Sequence, residues 1–193
     1  MKPTIFLFRW TTAALVACWW LTTANRLDAI EPLAVCSPDE THVASVAEQG
    51  RIHYRRASDN TVEHTFYICH PQAICFSANG KLLAAAGGAN GSRAKIKVWR
   101  LSDHQPIGEI IMAGEGVNAL ALSADGSLVA GATADGRVEV WRVSDGQSQW
   151  SRTVVGAAKS IRFSPDSRRL LIRAENGTER QFEAGNGRPV TAD

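Results

Sequence analysis

Residues 118–146 read NALALSADGSLVAGATADGRVEVWRVSDG, and residues 159–187 read KSIRFSPDSRRLLIRAENGTERQFEAGNG. The two stretches align without a gap at an offset of 41 residues. Leu120 meets Ile161, Leu122 meets Phe163, Val129 meets Leu170, Asp135-Gly136 meets Asn176-Gly177, and Trp141 meets Phe182. Ser123-Ala124-Asp125 stands opposite Ser164-Pro165-Asp166. Self-similarity at one fixed period marks a repeat architecture, and it governs how every shorter signal is read. An earlier copy starts at Leu33 and aligns with residues 118–146 at an offset of 86. There Ser37-Pro38-Asp39 meets Ser123-Ala124-Asp125, and Gln49-Gly50 meets Asp135-Gly136. A further copy, residues 73–103, fits once four extra residues are allowed within 87–93. The anchoring serines Ser37, Ser77, Ser123 and Ser164 are spaced by 40, 46 and 41 residues.

Inside a copy the signals are strands and turns. In the third, 119–122 is a short apolar run, 123–127 a turn, and 128–132 a second run. Asp135-Gly136 is a hairpin signal, because both residues tolerate positive φ. Residues 137–142 alternate apolar and polar until the pattern slips at Val140-Trp141, as in a strand buried on both faces. Residues 144–146 turn again, and 149–154 supply a fourth strand. Four strands in about 41 residues is the pattern of a propeller blade. No segment of the body shows a helical period. The expected fold is all-β, a propeller-like array of about four four-stranded antiparallel blades, forming a partial or small propeller behind an N-terminal hydrophobic leader helix. The expected blades are 33–68, 73–112, 117–155 and 158–191, in a domain of residues 33–193. Residues 25–32 form a short linker after a leader at 1–24.

Across about residues 33–191 the chain resembles the WD-repeat β-propeller family. The motifs that carry the resemblance are Phe163-Ser164-Pro165-Asp166, Ser123-Ala124-Asp125-Gly126, Asp135-Gly136, Lys97-Val98-Trp99 and Glu139-Val140-Trp141. Some motifs depart from the family. Arg follows both Trp99 and Trp141, so the Trp-Asp pair is absent, and the Gly-His pair ahead of the first strand is missing. The Trp position holds Arg55 in the first copy and Phe182 in the last. Of the family's buried tetrad, only the third copy keeps most, as Thr133, Asp135 and Trp141. The resemblance implies a non-catalytic protein-interaction module or scaffold with an unnamed protein partner. The alternative is a propeller that binds a glycan or small molecule, accessory to an enzyme. Four blades are the bottom of the propeller range, so two chains could close one ring as a homodimer. Arg162 and Arg173 replace Ala121 and Ala132, which marks them either as polar end faces, open to a partner, or as drift in a decayed repeat. The insertion at Gly88, Asn90 and Arg93 is a second partner-contact candidate, since it is the one extension in the repeat set.

The chain has 193 residues with 45% apolar and 21% charged, which fits a globular body and excludes a disordered one. Apart from Lys2 and Arg9 the body carries 19 basic and 19 acidic residues. A neutral body lacks the basic field that nucleic-acid binding needs. Between Arg9 and Asn25 lie 15 uncharged residues, which is short for a membrane-spanning helix. Three readings of this leader stand. It is a signal cut after Ala24, a lipoprotein signal with Cys18 as the lipid attachment site, or an uncleaved membrane anchor. All three place the body outside the cytoplasm, in the periplasm, cell envelope or extracellular space.

Catalytic chemistry finds no footing in the residues. The His residues have no metal-site spacing, and there is no C-x-x-C. Cys36, Cys69 and Cys75 are odd in number once Cys18 is set aside. Asp39, Asp125 and Asp166 recur once per copy as turn formers that bond their own backbone. Ser37, Ser77, Ser123 and Ser164 open those turns, and Trp99, Trp141, Phe182 and Asp135 read as blade positions. No catalytic, cofactor or metal residue is expected.

Overall fold

Short β-rich runs punctuated by Asx and Gly turns leave the backbone only one economical solution, which is antiparallel hairpins. A computed structural model describes residues 33–88, 93–112, 116–154 and 156–190. The leader, its expected helix, Cys18 and Asn90 lie outside the described residues. The chain divides into the units Met1–Ile30 and Glu31–Asp193, and every described residue belongs to the second.

The first sheet holds β1 (Ala34–Cys36), β2 (His42–Val46), β3 (Arg51–Arg56) and β4 (Val62–Tyr67) in that order. The second holds β5 (Pro71–Phe76), β6 (Leu82–Gly87), β7 (Lys95–Arg100) and β8 (Pro106–Ile111). The third holds β9 (Ala119–Leu122), β10 (Leu128–Ala132), β11 (Arg137–Arg142) and β12 (Ser148–Thr153). The fourth holds β13 (Ala158–Phe163), β14 (Arg169–Ala174) and β15 (Glu179–Glu183). All pairings are antiparallel. The one helical turn among the described residues is a 3-10 turn at Glu48–Gly50.

One expectation is corrected here, while β11, expected to be buried on both faces, is so. The fourth sheet has three strands among the described residues, not four. Its tail supplies only an isolated bridge, Phe182 to Pro189, held by Glu183 N–H on the Arg188 carbonyl and Val190 N–H on the Gln181 carbonyl, both at 2.8 Å. The missing N–H of Pro189 is no loss here, because the bridge is made by the N–H groups of Glu183 and Val190. The slip at Val140-Trp141 is a β-bulge against β12, and it recurs at Val98-Trp99 against β8 and Tyr54-Arg55 against β4. The extra residue lies on the outer strand, Gln149 of β12 in the third sheet, so β11 keeps its alternation with Val138 and Val140 on one face and Trp141 on the other.

The innermost strands β1, β5, β9 and β13 lie side by side in chain order. Three apolar cores join the sheets in the same order. The first packs Ala44, Ile52, Tyr54 and Phe66 against Ile74, Leu83, Ala85 and Trp99. The second packs Ile96, Val98 and Met112 against Val117, Leu122, Val129 and Trp141. The third packs Ala130, Val138, Val140 and Trp150 against Ile161, Leu170 and Phe182. Among the described residues no apolar core joins the fourth sheet to the first. Among the described residues the apolar cores therefore join the four sheets in a row, each to its neighbours.

Candidate interaction surfaces

The recurring Ser-x-Asx motif builds the same turn four times. The hydroxyls of Ser37, Ser77, Ser123 and Ser164 donate to Asp39, Asn79, Asp125 and Asp166 at 2.6, 2.7, 2.6 and 2.5 Å. Each Asx oxygen also accepts a backbone N–H two residues on, from Thr41, Lys81, Ser127 or Arg168. Each Ser oxygen in turn accepts the N–H of the residue that opens the next strand. The carboxylates are consumed by their own backbone. The Ser37 hydroxyl, with Thr41, holds Asp39 down to about 2. Ser164 and the Arg168 N–H likewise hold Asp166 below its ordinary value. Because the folded values lie under the unfolded ones, the stability they contribute is present above about pH 4 and drains away as pH falls toward 2. We expect the urea midpoint to drop through that window, and Asp39→Asn, which copies Asn79, to flatten part of the drop. An unchanged slope would show that the turn carboxylates are not protonated differently on unfolding.

The Trp position links sheets rather than strands of one sheet. Arg55, Trp99, Trp141 and Phe182 sit opposite Val43, Leu83, Val129 and Leu170 in equivalent registers. Trp99 fills the first core, Trp141 the second and Phe182 the third. Each therefore packs against the preceding sheet. Arg55 stands on the face of the first sheet that looks away from the second, where no preceding sheet of the row demands an aromatic ring. Thr133 donates its hydroxyl to Asp135 and approaches the Arg137 carbonyl at 3.2 Å. Trp141 contributes packing to the third sheet, not a bond in that network.

The two ends of the row differ from its interior. Arg162 and Arg173 are exposed on the far side of the fourth sheet, with Arg173 4.0 Å from Glu179. Their counterparts Ala121 and Ala132 are buried in the third core. Gly88 is half-buried beside Ala94, and Arg93 is exposed; the rest of the insertion lies outside the described residues.

Several features carry no signal in the sequence. His64 of β4 and His104 of the β7–β8 turn stack at 4.2 Å with 5° between their planes. Burial and then the His104 charge lower the His64 pKa from its ordinary value. Cys69 is exposed with its sulfur 3.1 Å from His70 Nδ1, whereas burial pushes the Cys75 thiol up to about 12. A groove of about 910 Å³ runs between β12 and β15, lined by Arg152, Thr153, Arg169, Glu179, Arg180 and Val190 among others. A smaller one of about 530 Å³ lies between Arg100 and Arg142 over Ile107 and Val143. Arg100 and Arg142 are each tied to the aspartate of their own turn, Asp103 and Asp145. Among the described residues no three His, Cys, Asp or Glu side chains are placed to hold a metal, and no helix is long and apolar enough to cross a membrane.

With this geometry in view, residues 105–142 match the family model described as WD domain, G-beta repeat. The match takes β8 from the second sheet and β9 to β11 from the third, so the repeat straddles two sheets across the second core. A stretch of 127 residues is 29% identical to angio-associated migratory cell protein of Homo sapiens, covering 65% of this chain and 28% of that protein. The protein of that name from Canis lupus familiaris matches equally. A stretch of 117 residues is 31% identical to WD repeat-containing protein SL1-17 of Schistosoma mansoni, covering 61% of this chain and 38% of that protein. The match thus spans little more than a quarter of the length of the first of these relatives. Together these matches support a WD-repeat protein, and WD repeats generally mediate protein–protein contacts.

Proposed function

We propose that this chain is a non-catalytic interaction module, a short WD-repeat array whose open ends and outer strands engage another protein outside the cytoplasm. The observation that supports this reading best is the absorption of recurring polar residues into turns. The four Ser-x-Asx pairs and the three Arg-Asp pairs at Arg56, Arg100 and Arg142 are satisfied within their own sheets. What remains exposed includes strand edge and end face, which is the material of protein contacts. The address rests on the uncharged run after Arg9 and the small residues before Asn25.

Capture from envelope extract by the tagged full chain, run beside a glycan array, tests the function. A protein partner crosslinked to defined sites is the expected result. Saturable binding of one glycan class with no protein adduct would overturn it in favour of the ligand-binding alternative. Intact mass of the protein from its own cells tests the address, with the leader removed, lipid-bearing at Cys18 or retained in a membrane fraction. A cytosolic protein starting at Met1 would refute it.

A further inference from the structure

The chain leaving the outermost strand does the same job in three sheets, in the second by Met112 N–H on the Ala94 carbonyl at 2.8 Å, and among the described residues the fourth sheet has no such strand. In the first sheet the chain leaving β4 folds over the β2–β3 turn, and Ile68 N–H donates to the Gly50 carbonyl at 3.0 Å. In the third sheet the chain leaving β12 does the same, with Val154 N–H on the Gly136 carbonyl at 2.8 Å. The equivalent glycine of the fourth sheet is Gly177, with the same left-handed φ of 84°. Among the described residues nothing lies within 4 Å of the Cβ position it would carry. The edge below it is open as well. The Gln181 carbonyl points outward, since it accepts from Val190 N–H. Backbone groups repeat with period two, so both groups of Glu179 point the same way, and no described residue takes them.

The side chains beside this edge are basic. Arg180 shares the core-side face of β15 with Phe182 and lines the groove of about 910 Å³ together with Arg152 of β12 and Arg169 of β14. Arg152 and Arg180 have no ion-pair partner among the described residues, and Arg169 meets only the neutral Gln181 amide at 3.4 Å. The one carboxylate of the groove, Glu179, already faces Arg173. Such a groove repels a basic strand and rewards an acidic one. A residue laid opposite Arg180 in antiparallel register places its side chain on Arg180's own face, toward Arg152. Phe182, Pro189 and Val190 close one end with apolar surface, which sets where an entering strand stops.

We propose that the edge of β15 and the basic groove beside it receive an extended acidic segment of a partner protein, added as the fourth strand of the last sheet. This rests on the reading of the chain as an interaction module and names the surface and the chemistry of its partner. Main-chain hydrogen bonds to Glu179 and to the Gly177 carbonyl would give the affinity, and alternate carboxylates on the core-side face would give the selectivity.

The test uses the full chain and three fluorescein-labelled hexapeptides, one alternating Glu and Val, one alternating Lys and Val, and the Glu-Val peptide N-methylated on alternate amides. Anisotropy is expected to show the Glu-Val peptide binding at least about tenfold tighter than either other. Amide exchange should slow at Glu179 when it binds. Arg152→Glu with Arg180→Glu, both on exposed side chains, should reverse the preference toward the Lys-Val peptide. Equal binding of the three peptides to the unaltered chain overturns the proposal, whatever the variant does. So does binding that appears only after residues 191–193 are deleted, which would assign the edge to the chain's own tail. A chain that captures a protein from envelope extract yet binds no peptide loses this surface and keeps the module reading.

Discussion

Replacing Trp141 with alanine is expected to destabilise the protein by about 3–5 kcal/mol, the range for truncating a large aromatic side chain in a packed interior. Trp141 is 2% exposed and lies in the core between the second and third sheets. Its ring occupies space that the backbone of β10 leaves empty at Gly131. A Cβ built on Gly131 would stand 3.3 Å from the Trp141 ring, 3.3 Å from the Met112 sulfur and 3.2 Å from the Ile96 side chain. The four residues are therefore one fitted unit, and nothing smaller than the indole fills it. In a row whose apolar cores join each sheet to its neighbours, the loss also uncouples the first two sheets from the last two. Urea unfolding followed by circular dichroism should show a lower midpoint and a shallower or split transition. A single transition at the wild-type midpoint would contradict the interior placement of the ring.

Which of these features could be read from the residues follows from how each is specified. The four turns were legible because a Ser hydroxyl, an Asx oxygen and three backbone N–H groups must all be satisfied within six residues, so the motif recurs at a visible spacing. The Trp position was legible for a related reason. An offset of 41 or 86 residues carries Trp141 onto Phe182 and Arg55, and the observed registers place all of them opposite the same residue of the neighbouring strand. The direction in which those side chains point follows the alternation of their own strand, Val138 and Val140 toward the third core and Trp141 toward the second, whereas the one-residue bulges of the outer strands leave no mark in composition. The His64–His104 stack joins residues 40 apart through the left-handed turn at His104, where the third and fourth copies carry Gly146 and Gly187. No periodicity connects them. The groove beside β15 was hidden for a different reason, since among the described residues the tail makes only one bridge to β15. The surface it leaves open is made by Arg152, Arg169 and Arg180, which come from three strands of two sheets.

Gly136→Ala is expected to cost about 2–4 kcal/mol, while the same change at Gly177 should cost only about 1–2 kcal/mol. The two glycines occupy equivalent hairpin turns, with φ of 83° and 84°. An L residue pays for the left-handed conformation at both. They differ in what lies outside the turn. A Cβ on Gly136 would stand 2.5 Å from the Val154 carbonyl oxygen and 2.7 Å from that of Gly156. Both are backbone atoms, so relief requires the end of β12 to move away and the Val154–Gly136 hydrogen bond at 2.8 Å to lengthen. At Gly177 no described residue fills that space. The difference between the two substitutions thus measures the clasp of an outer strand over its hairpin, separated from backbone strain. Paired urea titrations of the two variants read it directly. Equal costs would mean either that β12 yields without loss or that an outer strand already covers Gly177 in solution. Hydrogen exchange at Glu179 separates these cases, because a covered edge protects that amide and an open one leaves it exchanging freely.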